Sequence, residues 1–401
     1  MTKNLFKSSI LYIFVLFFSA CSNPVFYNIS KEVRLQDATV MGSINSIVRF
    51  TQNGKEYLVC QNGNTLYYKE TGTQRTSNES VWTARPNKTF QSFYYSYEEG
   101  DYKGEYVLKC AADSNFVYLL TAELRIDLDR GEAVPKCYRL YSTNDLASDS
   151  WTLLESFSKN LNSYISDNVY KGYPLLFCTN SINTANRVAF IRNNDTANTN
   201  NTQSCKYYKL SGASEPAEIT PPESRLDGTT GLINSAVWFN GNVQFFGASA
   251  SATNEKSDTP ADKIYYGKGS ELYYYDGTNS TSTCKGTGTI SCIAVTEDCL
   301  LFGQNESNYS TVLCGGLYKV KKDTQGIPGN SLEAFSTNAD AVFTSSYQIL
   351  TLLAEDPDKN EMDNSIYATI DFRSSGSSIA VSFENIGLWA YYPKRGNWNR
   401  E

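Results

Sequence analysis

Short apolar runs alternate with polar clusters along almost the whole chain. The runs are rich in Tyr, Phe, Val, Ile and Leu, and the clusters between them are rich in Asn, Asp, Gly, Ser and Thr. Apolar runs bounded by turn-forming residues are typical of short antiparallel β-strands. Long amphipathic stretches with helical periodicity are missing. The pattern therefore predicts an all-β protein.

The runs recur in a fixed order, which predicts a repeated unit. A tyrosine-rich strand follows an apolar partner strand six times, and a third strand follows most of these pairs. The tyrosine-rich members are residues 65–69, 137–141, 205–209, 271–275, 316–320 and 387–392, and their predicted partners begin at Glu56, Phe116, Arg187, Val243, Cys299 and Ile349. Sheets of three or four antiparallel strands that stack around an axis form a β-propeller.

We therefore predict a single β-propeller domain of six or seven blades over residues 39–401. Six units are visible, and residues 33–41 are a candidate to complete a seventh. Most intervals exceed the roughly 40–50 residues of common propeller repeats, so we expect loop insertions, for example at 248–262 and 355–364. A pair of β-sandwiches or a β-solenoid is the alternative architecture.

The first twenty residues have the order of a secretory signal peptide. Lys3 and Lys7 precede an apolar run at 10–18, and Ser19 and Ala20 precede Cys21. The run is too short to span a bilayer, which needs about 20 apolar residues. The segment 18–21 resembles a lipobox, with a Phe at its first position as in the looser lipoboxes of spirochaetes. The alternative is an ordinary signal peptide in which Cys21 is a chance residue.

The lipobox resemblance implies cleavage before Cys21 and a lipid anchor on its thiol. Two or three acyl chains hold a protein durably on a membrane, whereas one holds it weakly. Residues 21–38 would then form a short tether, and Ser22 leaves an outer-membrane location open. The resemblance to spirochaetal, treponemal-type surface lipoproteins implies an envelope protein that contacts host proteins or glycans if it faces outwards.

Composition excludes several classes of function. The chain has 401 residues, a formal net charge of −7 and no histidine. The negative charge argues against nucleic-acid binding, which needs a basic surface. Without histidine, Ser-His-Asp and Cys-His catalysis and His-ligated metal sites are excluded. Ten cysteines without a Cys-x-x-Cys pair fit buried thiols, although disulfides between strands stay an alternative.

One hairpin resembles the Asp box of BNR-type propellers. Residues 140–145 followed by Ser150, Trp151 and Thr152 carry the Ser, Asp and Trp of that pattern, but the turn is longer and its glycine is missing. Such boxes are structural, and the resemblance implies a propeller. Propellers with Asp boxes include sialidases, whose Arg-Ile-Pro segment is nearest to 124–127 here, without the proline.

Two segments carry candidate binding chemistry. The first is a dense aromatic and acidic stretch whose members are Tyr94, Tyr95, Tyr97, Glu98, Asp101 and Tyr102. Tyrosines in this density suit recognition of a protein or a glycan, and an edge hairpin packed on the next blade is the alternative. The second places oxygen ligands at alternating positions, Asp356, Asp358, Asn360 and Asp363, and resembles a calcium loop. A solvated acidic hairpin tip is its alternative, and we expect no other cofactor.

These observations predict a lipid-anchored, non-enzymatic binding module of the cell envelope, and the adhesin for host matrix protein or glycan is its most specific form. The alternatives are a scaffold for envelope proteins that faces the periplasm and a sialidase-like glycoside hydrolase.

The lipid anchor is testable by a single substitution. Cys21→Ser removes the only thiol at the predicted cleavage site, so we expect the chain to lose incorporation of radiolabelled palmitate and its sedimentation with membranes. The matched control is Cys137→Ser. If Cys21→Ser protein kept the label, the anchor would lie elsewhere.

Overall fold

The protein is described by a computed structural model that covers residues 39–77, 79–127, 132–161, 174–194, 205–220, 233–256, 259–305, 315–335, 343, 347–372 and 386–401. Strands dominate these residues, and the described part contains one short α-helix, α1 (Glu155–Asn160). The prediction of an all-β protein is confirmed. No helix of the described residues is long and apolar enough to cross a membrane.

The strands form successive antiparallel sheets. The first sheet comprises β1 (Val48–Gln52), β2 (Lys55–Asn62), β3 (Thr65–Glu70) and β4 (Thr83–Pro86), and a separate hairpin follows it, β5 (Tyr94–Ser96) and β6 (Asp101–Lys103). The second sheet comprises β7 (Glu105–Ala112), β8 (Val117–Asp127), β9 (Glu132–Thr143) and β10 (Thr152–Leu153). The third comprises β11 (Leu175–Cys178), β12 (Ala189–Asn194), β13 (Cys205–Lys209) and β14 (Ala217–Ile219).

Four more sheets complete the described strands. The fourth has two described strands, β15 (Ser235–Phe239) and β16 (Asn242–Phe246). The fifth comprises β17 (Ala250–Thr253), β18 (Ile264–Lys268), β19 (Glu271–Tyr275) and β20 (Ser280–Lys285). The sixth comprises β21 (Thr289–Val295), β22 (Cys299–Asn305), β23 (Gly316–Lys321) and β24 (Glu333–Ala334), and the seventh β25 (Tyr347–Ala354), β26 (Ile366–Phe372), β27 (Gly387–Tyr392) and β28 (Asn397–Arg400).

Each sheet is a meander in which consecutive strands pair. In the first sheet Val48 pairs with Val59 and Gln52 with Lys55, so a two-residue turn joins β1 to β2. Its residues Asn53 and Gly54 have φ of 53° and 76°. Both central positions of a type I′ turn need positive φ, and Asn-Gly supplies them at low cost. Local turn chemistry thus fixes the register of the hairpin.

Seven apolar clusters join the sheets into a ring. Each cluster contains buried residues of two sheets that follow one another, as when Phe50 and Leu66 of the first sheet meet Leu119 of the second. The last cluster joins the seventh sheet to the first, with Tyr392 beside Leu58. The first strands of all seven sheets line one cavity, which we call the central cavity. This arrangement is propeller-like.

Several strand predictions are confirmed and two are wrong. All six tyrosine-rich segments are strands, β3, β9, β13, β19, β23 and β27, and each is the third of its sheet. The run at Val243 is not the partner of β19, because β16 pairs with β15 and β19 pairs with β18. The run at Ile349 lies in β25, and β26 stands between it and β27. The expected insertion at 248–262 contains β17.

A polar node closes the ring between the first and seventh sheets. The Lys69 ammonium lies 2.5 Å from the Tyr367 hydroxyl and 4.6 Å from the centre of its ring. The Trp82 indole N–H and the Tyr392 hydroxyl donate to Oε2 of Glu401 at 2.9 and 2.8 Å. Burial lowers the pKa of Lys69 and raises that of Glu401.

No cysteine among the described residues forms a disulfide. Burial raises the pKa of seven of these eight thiols, for example that of Cys299 to about 12. The closure of the ring therefore rests on packing and hydrogen bonds in the described part.

The closing node predicts a stability defect. Glu401→Ala leaves the buried donors of Trp82 and Tyr392 without their acceptor, and each such loss costs about 1–3 kcal/mol. We expect a urea unfolding midpoint below that of the exposed control Glu79→Ala, and equal midpoints would contradict the role of the node.

Because the folded pKa of Glu401 is raised above its usual 4.5, its ionisation costs stability as the pH rises from that value. Glu401→Gln should therefore gain stability relative to the wild type towards neutral pH.

Candidate functional site

The aromatic and acidic stretch forms the separate hairpin β5–β6, which we call the tyrosine hairpin (residues 93–103). Tyr94 pairs with Lys103 and Ser96 with Asp101. The hairpin joins β7 through Gly104, whose φ is 75° and whose missing Cβ would lie 2.3 Å from the Ser92 carbonyl oxygen. Only glycine fits there, and the tyrosine hairpin is thus held at a fixed angle to the second sheet.

Two of the predicted binding residues hold the tyrosine hairpin in place. Oδ1 of Asp101 accepts the backbone N–H groups of Tyr102 and Ile126, at 2.7 and 2.9 Å. These two bonds, chiefly that from the Ile126 N–H, lower the pKa of Asp101. The Tyr102 ring stacks on Phe93 at 4.8 Å. Asp101 and Tyr102 therefore position the hairpin on β8 and leave their neighbours exposed.

A charged network stiffens the strands beneath the hairpin. The buried Glu105 accepts hydrogen bonds from the Tyr141 hydroxyl at 2.8 Å and from Arg139 at 3.0 Å. Arg139 also donates to Glu123 at 2.8 Å, and Lys136 lies 2.6 Å from the same carboxylate. Burial opposes ionisation of Glu123, but the bonds from Lys136 and Arg139 prevail and bring its pKa to about 2. The base of the hairpin is therefore ordered and charged.

The other four predicted residues are exposed to solvent. Tyr97 is 90 % exposed, Tyr94 46 % and Tyr95 37 %. The rings of Tyr95 and Tyr97 meet edge to face, 5.0 Å apart at 87°. Glu98 beside them is exposed and forms no ion pair within the described chain, whereas Glu99 pairs with Lys103. The structure brings Tyr95, Tyr97 and Glu98 together, whereas Tyr94 precedes Tyr95 in the strand and points to the opposite face of the hairpin.

Tyr106 belongs to the same surface and was missed by sequence reasoning. It is 36 % exposed on β7 and its ring lies 5.7 Å from that of Phe93. Of the six large hydrophobic side chains exposed in the described residues, four are Tyr94, Tyr95, Tyr97 and Tyr106. Scattered exposed apolar residues are ordinary, but a contiguous group marks an interaction site.

The acidic loop between β25 and β26 is held by its own hydrogen bonds. Oδ1 of Asp356 accepts the N–H of Asp358 at 3.0 Å, and Oδ1 of Asn360 accepts that of Asp363 at 2.9 Å. The Asn360 amide donates to Asp363 at 2.7 Å, and Lys359 lies 3.2 Å from Asp356. Asp and Asn commonly close turns in this way. The four predicted calcium ligands thus share one loop, and several of their oxygen atoms serve the turn.

A second acidic group lies against this loop. Ligand atoms of Asp298, Cys299 and Glu361 lie within 4.8 Å of one another. The Lys319 ammonium is 3.0 Å from Oε1 of Glu361, and the Cys299 thiol is 3.2 Å from the Thr296 hydroxyl. Burial and the neighbouring Asp298 raise the pKa of Glu361. An ammonium already supplies positive charge here, so the group is best described as a buried ion-paired network.

The remaining sequence candidates have simple placements. Cys21 lies outside the described residues. In the Asp-box-like segment, Oδ1 of Asp145 accepts the N–H of Ala147 at 2.9 Å, and Trp151 is buried among residues of the first and second sheets. Arg125 of the Arg-Ile segment is exposed on β8 and does not line the central cavity.

The central cavity has a volume of about 290 Å³. Its described lining carries three charged side chains, Arg49, Lys109 and Glu255. Arg49 donates to Glu56 and to two backbone carbonyls, and Glu255 accepts from Ser181 at 2.6 Å and Asn186 at 3.2 Å. A glycosidase needs two carboxylates beside the scissile bond, and the described lining supplies one, which is already hydrogen-bonded.

No protein-family model matches the chain, and no curated protein matches its sequence. Among solved structures it is similar to a GH43 endo-arabinanase from Bacillus licheniformis, at 14 % identity and a TM-score of 0.32 over 74 % of this chain and 100 % of that one. It is also similar to a puromycin hydrolase, at 12 % identity and a TM-score of 0.39 over 83 % of this chain and 52 % of that one. At these TM-scores the similarity assigns neither a family nor an activity.

The acidic loop generates a prediction about calcium. Because its turn is closed by hydrogen bonds of Asp356 and Asn360, we expect the melting temperature to be the same in EGTA and in calcium. Asp358→Asn serves as the matched variant, since it removes one charge and keeps an oxygen. A melting temperature that falls in EGTA for the wild type, and not for Asp358→Asn, would establish the calcium site instead.

Proposed function

We propose that this chain is a membrane-tethered β-propeller of seven blades that binds a glycan through its tyrosine hairpin. The observation that carries the proposal is the exposed surface of Tyr95, Tyr97 and Tyr106 beside the carboxylate of Glu98, which forms no ion pair within the described residues.

Seven blades are supported by the seven intersheet clusters and by the seven first strands that line the central cavity. The two-stranded sheet β15–β16 takes one position in this ring, between the third and fifth sheets. In a closed ring every sheet buries both faces, and the loops at its rims are free to carry function.

The size of the exposed surface favours a glycan over a protein. The three rings together expose about as much area as one and a half tyrosine side chains, roughly 300 Å² at about 200 Å² each. A standard protein interface buries about 800 Å² on each partner. A sugar chain needs less, because one pyranose covers one aromatic ring.

The chemistry of the surface also fits a sugar. The C–H face of a pyranose is apolar and packs on an aromatic ring, and its hydroxyl groups donate to carboxylates. The 90 % exposed ring of Tyr97 offers such a face, and Glu98 offers an acceptor next to it. Tyr95, perpendicular to Tyr97 at 5.0 Å, forms a second wall. The anchors at Asp101 and Tyr102 keep these rings preorganised, which limits the entropy lost on binding.

The lipid on Cys21 would hold this surface close to the membrane. The tether of residues 21–38 is short, and without it the ring would diffuse away from its ligand. A tethered lectin-like module on the outer face of a cell acts as an adhesin, and we propose that role for this chain.

Substitutions on the tyrosine hairpin test the proposal. The wild type is first screened on a printed array of neutral and acidic oligosaccharides, and the strongest glycan is then titrated calorimetrically. We expect Tyr97→Ala to weaken binding at least about tenfold, or about 1.4 kcal/mol, and Tyr97→Phe to bind nearly as well as the wild type because the ring face is kept.

Glu98→Gln should also weaken binding, whereas Glu79→Gln, another exposed acid, should not. All four variants should melt at the temperature of the wild type, since these side chains are exposed. A wild type that binds no glycan on the array, or a Tyr97→Ala variant that binds as tightly as the wild type, would refute the proposal; binding to a purified matrix protein alone would assign the surface to a protein ligand.

A further inference from the structure

We infer that the central cavity binds a small oxyanion, a carboxylate or a phosphate, through the ammonium group of Lys109. This site is separate from the tyrosine hairpin and does not depend on the proposed function.

A β-bulge gives Lys109 its place in the cavity lining. In β7 Val107 pairs with Thr121 and Lys109 with Leu120, so Leu108 is an extra residue without a partner in the ladder. Side chains alternate between the faces of a strand, and a bulge changes which residue points to a given face. After the bulge, Lys109 and the next residue, Cys110, line the cavity.

Lys109 is the unpaired charge of this lining. Within the described residues its side chain forms no ion pair and no hydrogen bond. Arg49, in contrast, is paired with Glu56 and donates to a backbone carbonyl, and Glu255 accepts a hydrogen bond from Ser181. Its electrostatic neighbours are the thiols of Cys178 on β11 and Cys292 on β21. Burial raises the pKa of both thiols, that of Cys292 to about 12, so they are neutral and supply no counter-charge.

An unpaired ammonium inside a protein is costly. Charges removed from water are normally paired or hydrogen-bonded. Lys109 is half-buried in the cavity wall, and its desolvation there lowers its pKa. A methionine of similar length would avoid this cost. An oxyanion bound in the cavity would supply the missing counter-charge and hydrogen-bond acceptor.

The wall of the cavity suits the rest of such a ligand. Three polar side chains of the cavity wall make no hydrogen bond within the described residues. They are the hydroxyl groups of Ser251 and Thr351 and the amide of Asn45. They can donate to further oxygens of an anion. The volume of about 290 Å³ is of the size of a small-molecule pocket.

Thermal melts of the full-length protein test the inference. Sodium phosphate, sulfate, acetate and malonate are titrated against sodium chloride of equal ionic strength. We expect at least one anion to raise the melting temperature of the wild type by a few degrees in a saturable manner. Phosphate and the carboxylates are separate arms, and the arm that saturates identifies the class of ligand.

Lys109 variants separate a site from a general salt effect. Sulfate and phosphate stabilise most proteins by exclusion from their surface, so a rise shared by Lys109→Met is not binding. We expect Lys109→Met to lose the saturable part, Lys109→Arg to keep it, and Lys159→Met, an exposed lysine of α1, to behave as the wild type. A wild type without a saturable response to any anion, or a Lys109→Met variant that keeps it, would overturn the inference. If Lys109→Met does not fold, Lys109→Gln replaces it with the same expected loss.

Discussion

The contact between the first and seventh sheets is the constraint on which the rest of the structure depends. A β-sheet in this ring buries both faces only if each neighbour is present, and opening one interface exposes two apolar faces at once. The closing contact joins segments more than 300 residues apart, as between Trp82 and Glu401, so its loop-closure entropy is large. The apolar cluster around Leu58 and Tyr392 and the node of Lys69 and Glu401 offset that entropy.

The closed ring separates structural residues from residues that are free to bind. The tyrosine hairpin is not packed between two sheets of the ring. It is attached to the second sheet by Asp101, Tyr102 and Gly104, and its other tyrosines face solvent. The same ring encloses the central cavity, where Lys109 forms no ion pair with any described residue. Outer and inner surfaces of one scaffold thus present two different chemistries, aromatic and acidic outside and cationic inside.

The sequence predicted most of the strands because their alternating, tyrosine-rich runs reflect burial on one face and packing on the next sheet. It misassigned the runs at Val243 and Ile349, since an apolar run of five residues looks alike as a first or a second strand and pairing depends on distant partners. It grouped Asp101 and Tyr102 with Tyr97, although Asp101 is engaged by the backbone of Ile126 and the Tyr102 ring is stacked on Phe93. Lys109 lies inside an apolar run, and a lysine among buried residues is unusual enough to indicate a special role. The face of the strand to which it points depends on a β-bulge that the sequence does not reveal.

The central claim is that a ligand binds the ordered tyrosine hairpin outside a rigid ring. Hydrogen–deuterium exchange of the full-length protein, with and without the strongest array glycan, tests it most directly. The account predicts that protection on binding is confined to peptides that cover residues 93–106, while β1, β25 and residues 107–112 of β7 around the central cavity exchange slowly and equally in both states. Protection that appears at the cavity and not at the hairpin would contradict the account.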